Sequence, residues 1–294
     1  MRDTRAFHHH HGTTVIIAEA GGMVKRKILW LVTGLLRHCC SRLSATCPPS
    51  TDLFNHRKRT GASRGIGAAI ARHLAAQGFA VLINYKTKDD EADAVASDIL
   101  RTGGRAVSFK ADMSSDDNAK ALVDFAIDKF GRLDVLVNNA GLAVGRSLVE
   151  IDADHVNTQI ALNIAGVLFA SKHATLAFGD AGGAIINISS IQGVSPIPGG
   201  AVYCATKAAV NAITVSLAAE LGPRKIRVNA VAPGLIMTEK MRAMVPEDAK
   251  QEIMKDTPLG RLGTPEEIPI GFERDLRHFA VIGPACGNTL GAFG

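Results

Sequence analysis

Apolar and polar positions in this chain follow two periods that take turns. Short continuous apolar runs at Ala80–Asn84, Ala106–Ala111, Leu133–Val137, Ala184–Ile188 and within 225–234 have the length and β-branched content of strands buried on both faces. Between them lie longer stretches with apolar residues at helical spacing: one opening near Ile66, then Ala92–Thr102, Asp116–Phe130, Asp152–Phe178 and an Ala-rich stretch ending near Leu221. Gly131 directly after Phe130 is a C-cap signal. Strands alternating with helices predict one α/β domain, a doubly wound parallel sheet with helices on both faces.

Composition narrows the classes. With 294 residues and 47% apolar residues the chain is long enough for one large core. A net charge of +5 is modest and its basic residues are scattered apart from His56–Arg59, so no nucleic-acid partner is expected. Five cysteines, at 39, 40, 47, 204 and 286, lack metal-ligand spacing; a reduced, cytoplasmic protein with no metal is expected, and His155 and His173 read as ordinary helix residues. Residues 1–22, with four histidines at 8–11, read as a disordered leader, and Met23 as a natural start. Lys25-Arg26-Lys27 followed by the apolar run to Leu36 also has the form of a signal peptide, although the run is too short to span a bilayer, and no membrane partner is expected.

Chemistry concentrates between Ala184 and Leu221. Tyr203 and Lys207 lie four apart at the start of the Ala-rich helix, on one face and one turn apart. A free tyrosine has a pKa of about 10, and a desolvated cation beside it favours the phenolate, which would make Tyr203 a general acid/base near neutrality. Ser190, just past the strand, offers a hydroxyl to hold a substrate carbonyl oxygen. A surface Tyr–Lys pair has the same letters, so this spacing needs company. It has some in Gly61-Ala62-Ser63-Arg64-Gly65-Ile66-Gly67, which opens a helix and leads into the strand at Ala80, the context in which backbone approaches a pyrophosphate at a helix N-terminus. At the end of that next strand the chain reads Asn84-Tyr85-Lys86, with no acid until Asp89 to receive a ribose 2'-hydroxyl. Lys86 and Arg64 therefore favour the 2'-phosphate of NADP(H), with NAD(H) as the alternative if both are merely exposed basic residues.

Together these stretches resemble the short-chain dehydrogenase/reductase family, especially its 3-oxoacyl carrier-protein reductases, from Gly61 to Ile268. The resemblance rests on the glycine loop, on Asn138-Asn139-Ala140-Gly141 after the strand at 133–137, on Ser190, on Tyr203-Cys-Ala-Thr-Lys207 and on Asn163 in ALNIAG. It implies a strand order 3-2-1-4-5-6 and a catalytic tetrad of Asn163, Ser190, Tyr203 and Lys207. Tyr203 would exchange the proton, Ser190 orient the oxygen, Lys207 lower the tyrosine pKa and bind ribose, and Asn163 relay protons through water. It further implies cofactor contacts from Asp112 at the adenine edge, which can equally be a helix cap, from Asn139, Ala140 and Gly141, and from Pro233, Gly234, Ile236 and Thr238, with Asn138 mainly structural. The substrate would be a small carbonyl compound or alcohol, 3-oxoacyl-like among the options, and relatives form homo-oligomers.

Two departures from the pattern matter. Ile28–Thr33 resembles the first strand and Thr33-Gly34 the entry to the glycine turn, yet Thr-Gly recurs at 60–61, so residues from about 35 to 60 read as an insertion whose closure cost grows slowly with length. After Ile268 the resemblance stops. Pro269 opposes helix continuation, and the tail 269–294 predicts a seventh strand missing or altered, which puts oligomer formation in doubt. Met241 and Met244 lie in, and Met237 just ahead of, a stretch, 239–257, that reads as a flexible amphipathic lid. The second reading of the chain is therefore a catalytically impaired cofactor-binding or interaction protein.

Overall fold

The computed structural model describes Val15–Glu19, residues 65–269 and Gly283–Ala285. The chain divides into two compact units, Met1–Glu19 with Ser63–Gly294, and Ala20–Ala62. All described residues belong to the first. The glycine-loop residues Gly61, Ser63 and Arg64, and the expected first strand Ile28–Thr33 with the expected insertion, lie outside the described residues.

Seven strands form one sheet in the order β3-β2-β1-β4-β5-β6-β7. They are β1 (Val15–Glu19), β2 (Phe79–Tyr85), β3 (Arg105–Lys110), β4 (Val135–Asn138), β5 (Gly183–Ile188), β6 (Ile226–Pro233) and β7 (Gly283–Ala285). The helices are α1 (Ile66–Ala76), α2 (Asp89–Arg101), α3 (Asp116–Phe130), α4 (Ala153–Ile160), α5 (Gly166–Ala177), α6 (Ala201–Leu221), α7 (Glu239–Met244) and α8 (Glu247–Asp256). The pairs β2–β3, β4–β5, β5–β6 and β6–β7 are parallel, as expected.

One expectation is corrected and another narrowed. The central slot is filled by Val15–Glu19, from the stretch read as a disordered leader, and this strand runs antiparallel to both neighbours: Val15 pairs with Ile83 and Val137, Glu19 with Phe79. VIIAE is itself a short apolar, β-branched run, and the leader reading overlooked it. The seventh strand is present but altered, three residues that pair Gly283–Ala285 with Val231–Pro233.

Strict alternation along the central strands builds a core on each sheet face. Val81, Ile83, Val135, Val137 and Ile186 face α1 and α2, meeting Ile70, Leu74, Val95 and Ile99. Leu82, Leu136, Ile185 and Val228 face the opposite layer, with Leu122 and Ala126 of α3 and Ala170 and Ala174 of α5. The helical segments Ala153–Ala177 and Ala201–Arg224 are long and apolar enough to cross a membrane by length and composition. Their buried faces nevertheless meet the sheet and neighbouring helices, which is how the core helices of an α/β layer acquire that composition.

Candidate active site

The loops that leave the carboxyl ends of β4, β5 and β6 carry most of the predicted site, as open α/β sheets favour. Gly65, with φ +95°, is the N-cap of α1, a backbone conformation that suits glycine. The first intrahelical bond runs from Ala69 N–H to Gly65 C=O, so the N–H groups of Ile66, Gly67 and Ala68 precede the helical ladder. A Cβ built at Gly65 would lie 4.0 Å from Thr238 Cγ2, which brings these two predicted cofactor residues together. Ile66 packs partly against the core and Gly67 is buried, so their contribution to an anion is backbone rather than side chain.

Ser190 stands two residues past the end of β5 and caps the helical turn Ile191–Gly193, its hydroxyl accepting from Gln192 N–H at 3.2 Å. That turn lies close against α6: a Cβ at Gly193 would come within 2.8 Å of the Lys207 carbonyl carbon. Tyr203 and Lys207 stand in the first two turns of α6, with Lys207 Nζ 5.7 Å from the Tyr203 ring centroid. Burial pushes the Tyr203 phenol above its ordinary value, and a hydrogen bond with Ser190 acts the other way. Lys207 is 5% exposed, donates to Ile188 C=O at 2.8 Å, and burial lowers its pKa to about 8. The expectation that Lys207 lowers the tyrosine pKa is therefore not met in the protein alone: desolvation dominates both groups, and Lys207 is directed at a backbone carbonyl.

Asn163 sits in a single widened helical turn, Ala161–Ala165, between α4 and α5. Such π turns shift the following residues by one position and are frequent at functional sites. Its Oδ1 accepts from Leu142 N–H at 2.7 Å, and its Nδ2 donates to Leu142 C=O at 2.8 Å and to Thr206 Oγ1 at 2.9 Å. Both amide protons are thus committed, which leaves the second lone pair of Oδ1 for the water relay that the resemblance implies. A Cβ at Gly141 would lie 3.4 Å from both Asn163 Oδ1 and Lys207 Nζ, which places this glycine directly beside both side chains. Thr206, which sequence reading passed over, links two residues of the predicted tetrad: it accepts from Asn163 and donates to Tyr203 C=O at 2.7 Å. Its place beside Lys207 was the available signal.

The remaining predicted cofactor residues divide. Lys86 pairs with Asp112 at 2.6 Å; burial alone would raise the Asp112 carboxyl, but hydrogen bonds from Lys86 and Ser114 hold it below the usual range. A 2'-phosphate would have to share Lys86 with that carboxylate. Asp112 is not the cap of α3; Ser115 is, accepting from Asn118 N–H. Ala140 and Ile236 bury their side chains in the core, leaving their backbones for any contact. Asn139 and Gly234 are half-buried beyond β4 and β6, and Pro233 ends β6. Asn138 is structural, donating to Ser171 Oγ at 3.2 Å and Asn187 Oδ1 at 2.9 Å. The stretch read as a lid is α7 and α8, and Thr238 caps α7 by accepting from Met241 N–H at 3.2 Å.

The fit to a nicotinamide dinucleotide rests on these features: a glycine-capped helix N-terminus, a glycine directly beside Lys207, and a buried lysine ammonium beside a tyrosine. Known proteins agree. Residues 61–269 match the family described as enoyl-(acyl carrier protein) reductase. An uncharacterized oxidoreductase of Methylorubrum extorquens is 46% identical over 71% of this chain and 85% of its own length. A 3-oxoacyl-[acyl-carrier-protein] reductase of Synechocystis is 41% identical over 71% of this chain and 83% of its own. Among solved structures, a short-chain dehydrogenase of Burkholderia cenocepacia in complex with NADP superposes with a TM-score of 0.70 at 33% identity, covering 76% of this chain and 95% of that one. With its sheet order and these matches in agreement, the chain belongs to the short-chain dehydrogenase/reductase family and is an NAD(P)-dependent oxidoreductase.

Proposed function

We propose that this protein is an NADP(H)-dependent reductase of small carbonyl compounds, acting reversibly on the corresponding secondary alcohols, with 3-oxoacyl thioesters the first substrate class to test. The observation that carries the reading is the meeting of Asn163, Ser190, Tyr203 and Lys207 around the carboxyl ends of β4 and β5. A bound nicotinamide supplies or accepts the hydride. Tyr203 then gives its phenolic proton to the developing alkoxide, or takes it back in the alcohol direction, while Ser190 hydrogen-bonds the same oxygen and orients it. Lys207, with protons to spare beyond its bond to Ile188, would bind the ribose hydroxyls. A charged ammonium so close to the phenol favours phenolate, and the distance of 5.7 Å to the ring allows that influence once the lysine is drawn toward a ligand. Asn163 keeps Leu142 in position and offers one lone pair to a water behind Lys207.

Preference for NADP(H) over NAD(H) is supported by the absence of an acidic residue at Asn84-Tyr85-Lys86 and by the NADP complex of the Burkholderia relative. We expect a cytoplasmic enzyme whose oligomeric state is open to measurement. The test is a panel of ketones, 3-oxoacyl thioesters and alcohols with both cofactors, alongside NADPH fluorescence titration. Tyr203→Phe is expected to lower kcat by about three orders of magnitude with NADPH affinity nearly unchanged. Full turnover in that variant would remove Tyr203 from the chemistry. NADPH binding without turnover of any substrate would favour the second reading, an impaired cofactor-binding protein.

A further inference from the structure

Beyond Gly141 the chain belongs to no sheet strand, yet it alternates like one. Leu142, Val144 and Arg146 are turned inward, whereas Ala143, Gly145 and Ser147 are exposed. In a sheet, a neighbouring strand would satisfy the N–H and C=O of every second residue. Here two amide side chains take that part. Asn163 holds both backbone groups of Leu142. Gln159, one turn earlier on the same helix face, accepts from Val144 N–H at 3.4 Å and donates to Val144 C=O at 3.2 Å. Both amides are fully buried. The next rung is Arg146 N–H to Gly199 C=O at 2.9 Å, directly before Gly200, the N-cap of the helix that carries Tyr203. The segment thus runs from Gly141, beside Lys207 Nζ, to the loop in front of Tyr203.

The orientation of the Gln159 amide is itself determined. Its Nε2 also faces His155 Nε2 at 3.1 Å, and with Oε1 engaged by Val144 that imidazole nitrogen has to accept. His155 must therefore be neutral with its proton on Nδ1. The charged groups acting on it are Arg146, from the clamped segment, and Asp152, whose carboxylate caps α4 and pairs with Arg146 at 2.6 Å. Burial and Arg146 lower the histidine pKa, and Asp152 opposes them.

We propose that Gln159 is a positioning residue for the reaction assigned above: it clamps Val144 beside the substrate site, and neutral His155 keeps its amide in the clamping orientation. Protonated His155 presents a donor to an amide donor. The amide then turns over and the Val144 rung loses both bonds. The kinetic consequence rests on the proposed hydride-transfer function; the clamp rests on geometry alone.

The experiment uses the full-length protein. In the wild type, imidazole nitrogen shifts should report the Nδ1–H tautomer of His155 at pH 8, and amide exchange at Val144 should speed up as His155 protonates while Leu142 stays protected. In Gln159→Met, which keeps length and removes both bonds, Val144 exchange should rise by about tenfold or more with Leu142 unchanged. For the best carbonyl substrate, kcat/KM should fall by about tenfold while NADPH affinity holds, and the acid limb that tracks His155 should vanish. An Nε2–H tautomer in the wild type, or a folded Gln159→Met with unchanged Val144 exchange or unchanged kcat/KM, overturns the proposal. If the wild type reduces no carbonyl with either cofactor, the functional reading fails, while exchange and tautomer still decide the clamp.

Discussion

Lys207 illustrates what a buried side chain proposed for catalysis does to the fold that carries it. In the unfolded chain its pKa is 10.5, and burial brings it to about 8. Between these values the unfolded state binds more protons, so stability climbs with pH through that window. Below about pH 8 both states are charged and the full desolvation cost is present. Two and a half units correspond to about 3 kcal/mol. Lys207→Met removes this cost but leaves Ile188 C=O without its donor, worth about 1–2 kcal/mol. The expected net result is a gain of about 1–2 kcal/mol at pH 7, or a Tm higher by about 2–6 °C, together with loss of turnover. Thermal unfolding at pH 7 and pH 10 checks it: the variant's advantage should shrink at the higher pH. A variant less stable than wild type at pH 7 would mean that the lysine is a net stabiliser.

Between elements, the sheet is tied to its helices by a buried polar chain running from α5 to α6. Asn138 of β4 donates to Ser171 of α5 and to Asn187 of β5; Asn187 donates to Thr214 Oγ1 at 2.9 Å, and Thr214 donates to Val210 C=O at 2.7 Å. Satisfied networks of this kind fix register, and broken ones are costly. Asn187→Ala removes two bonds while Asn138 and Thr214 keep one partner each, so a loss of about 2–3 kcal/mol is expected. Thermal denaturation should give a Tm lower by about 4–10 °C; a change under about 1 °C would mean that the chain contributes little. What the sequence revealed at this scale followed from local rules. The C-terminal end of α3 was legible because Gly131 caps it, whereas its N-cap, read at Asp112, is Ser115; the Tyr203–Lys207 pair was legible because helical spacing fixes its geometry. Gln159, Thr206 and the widened turn at Asn163 escaped because their partners are distant in sequence: an isolated Gln four residues before an Asn does not reveal that both clamp one extended segment. The pairing of Lys86 with Asp112 escaped for the same reason.

For the molecule as a whole, the decisive element is β1. It bridges β2 and β4, and without it the sheet would part into β3-β2 and β4-β5-β6-β7, each with a newly exposed apolar edge. The family resemblance implied the order of the other strands but assigned the central slot to Ile28–Thr33, a longer apolar run that leads toward the glycine turn in the parallel sense. Val15–Glu19 runs the other way, with Val15 level with Ile83 and Val137 at the carboxyl side and Glu19 beside Phe79 at the other end. A shortened chain, Met23–Gly294, therefore tests which segment the sheet depends on. With Val15–Glu19 gone, amide exchange at Leu82 and Leu136, now without a central partner strand, should accelerate toward the unfolded rate, and the cooperative thermal transition should be lost or fall by more than about 10 °C. NADPH affinity should fall with it, because α1 and the loop after β4 are positioned from either side of that slot. If instead the shortened chain melts where the full chain does, keeps Leu82 and Leu136 protected and still binds NADPH, the slot accepts a second strand. Ile28–Thr33, the run that the sequence places ahead of the glycine turn, is then the candidate for that strand.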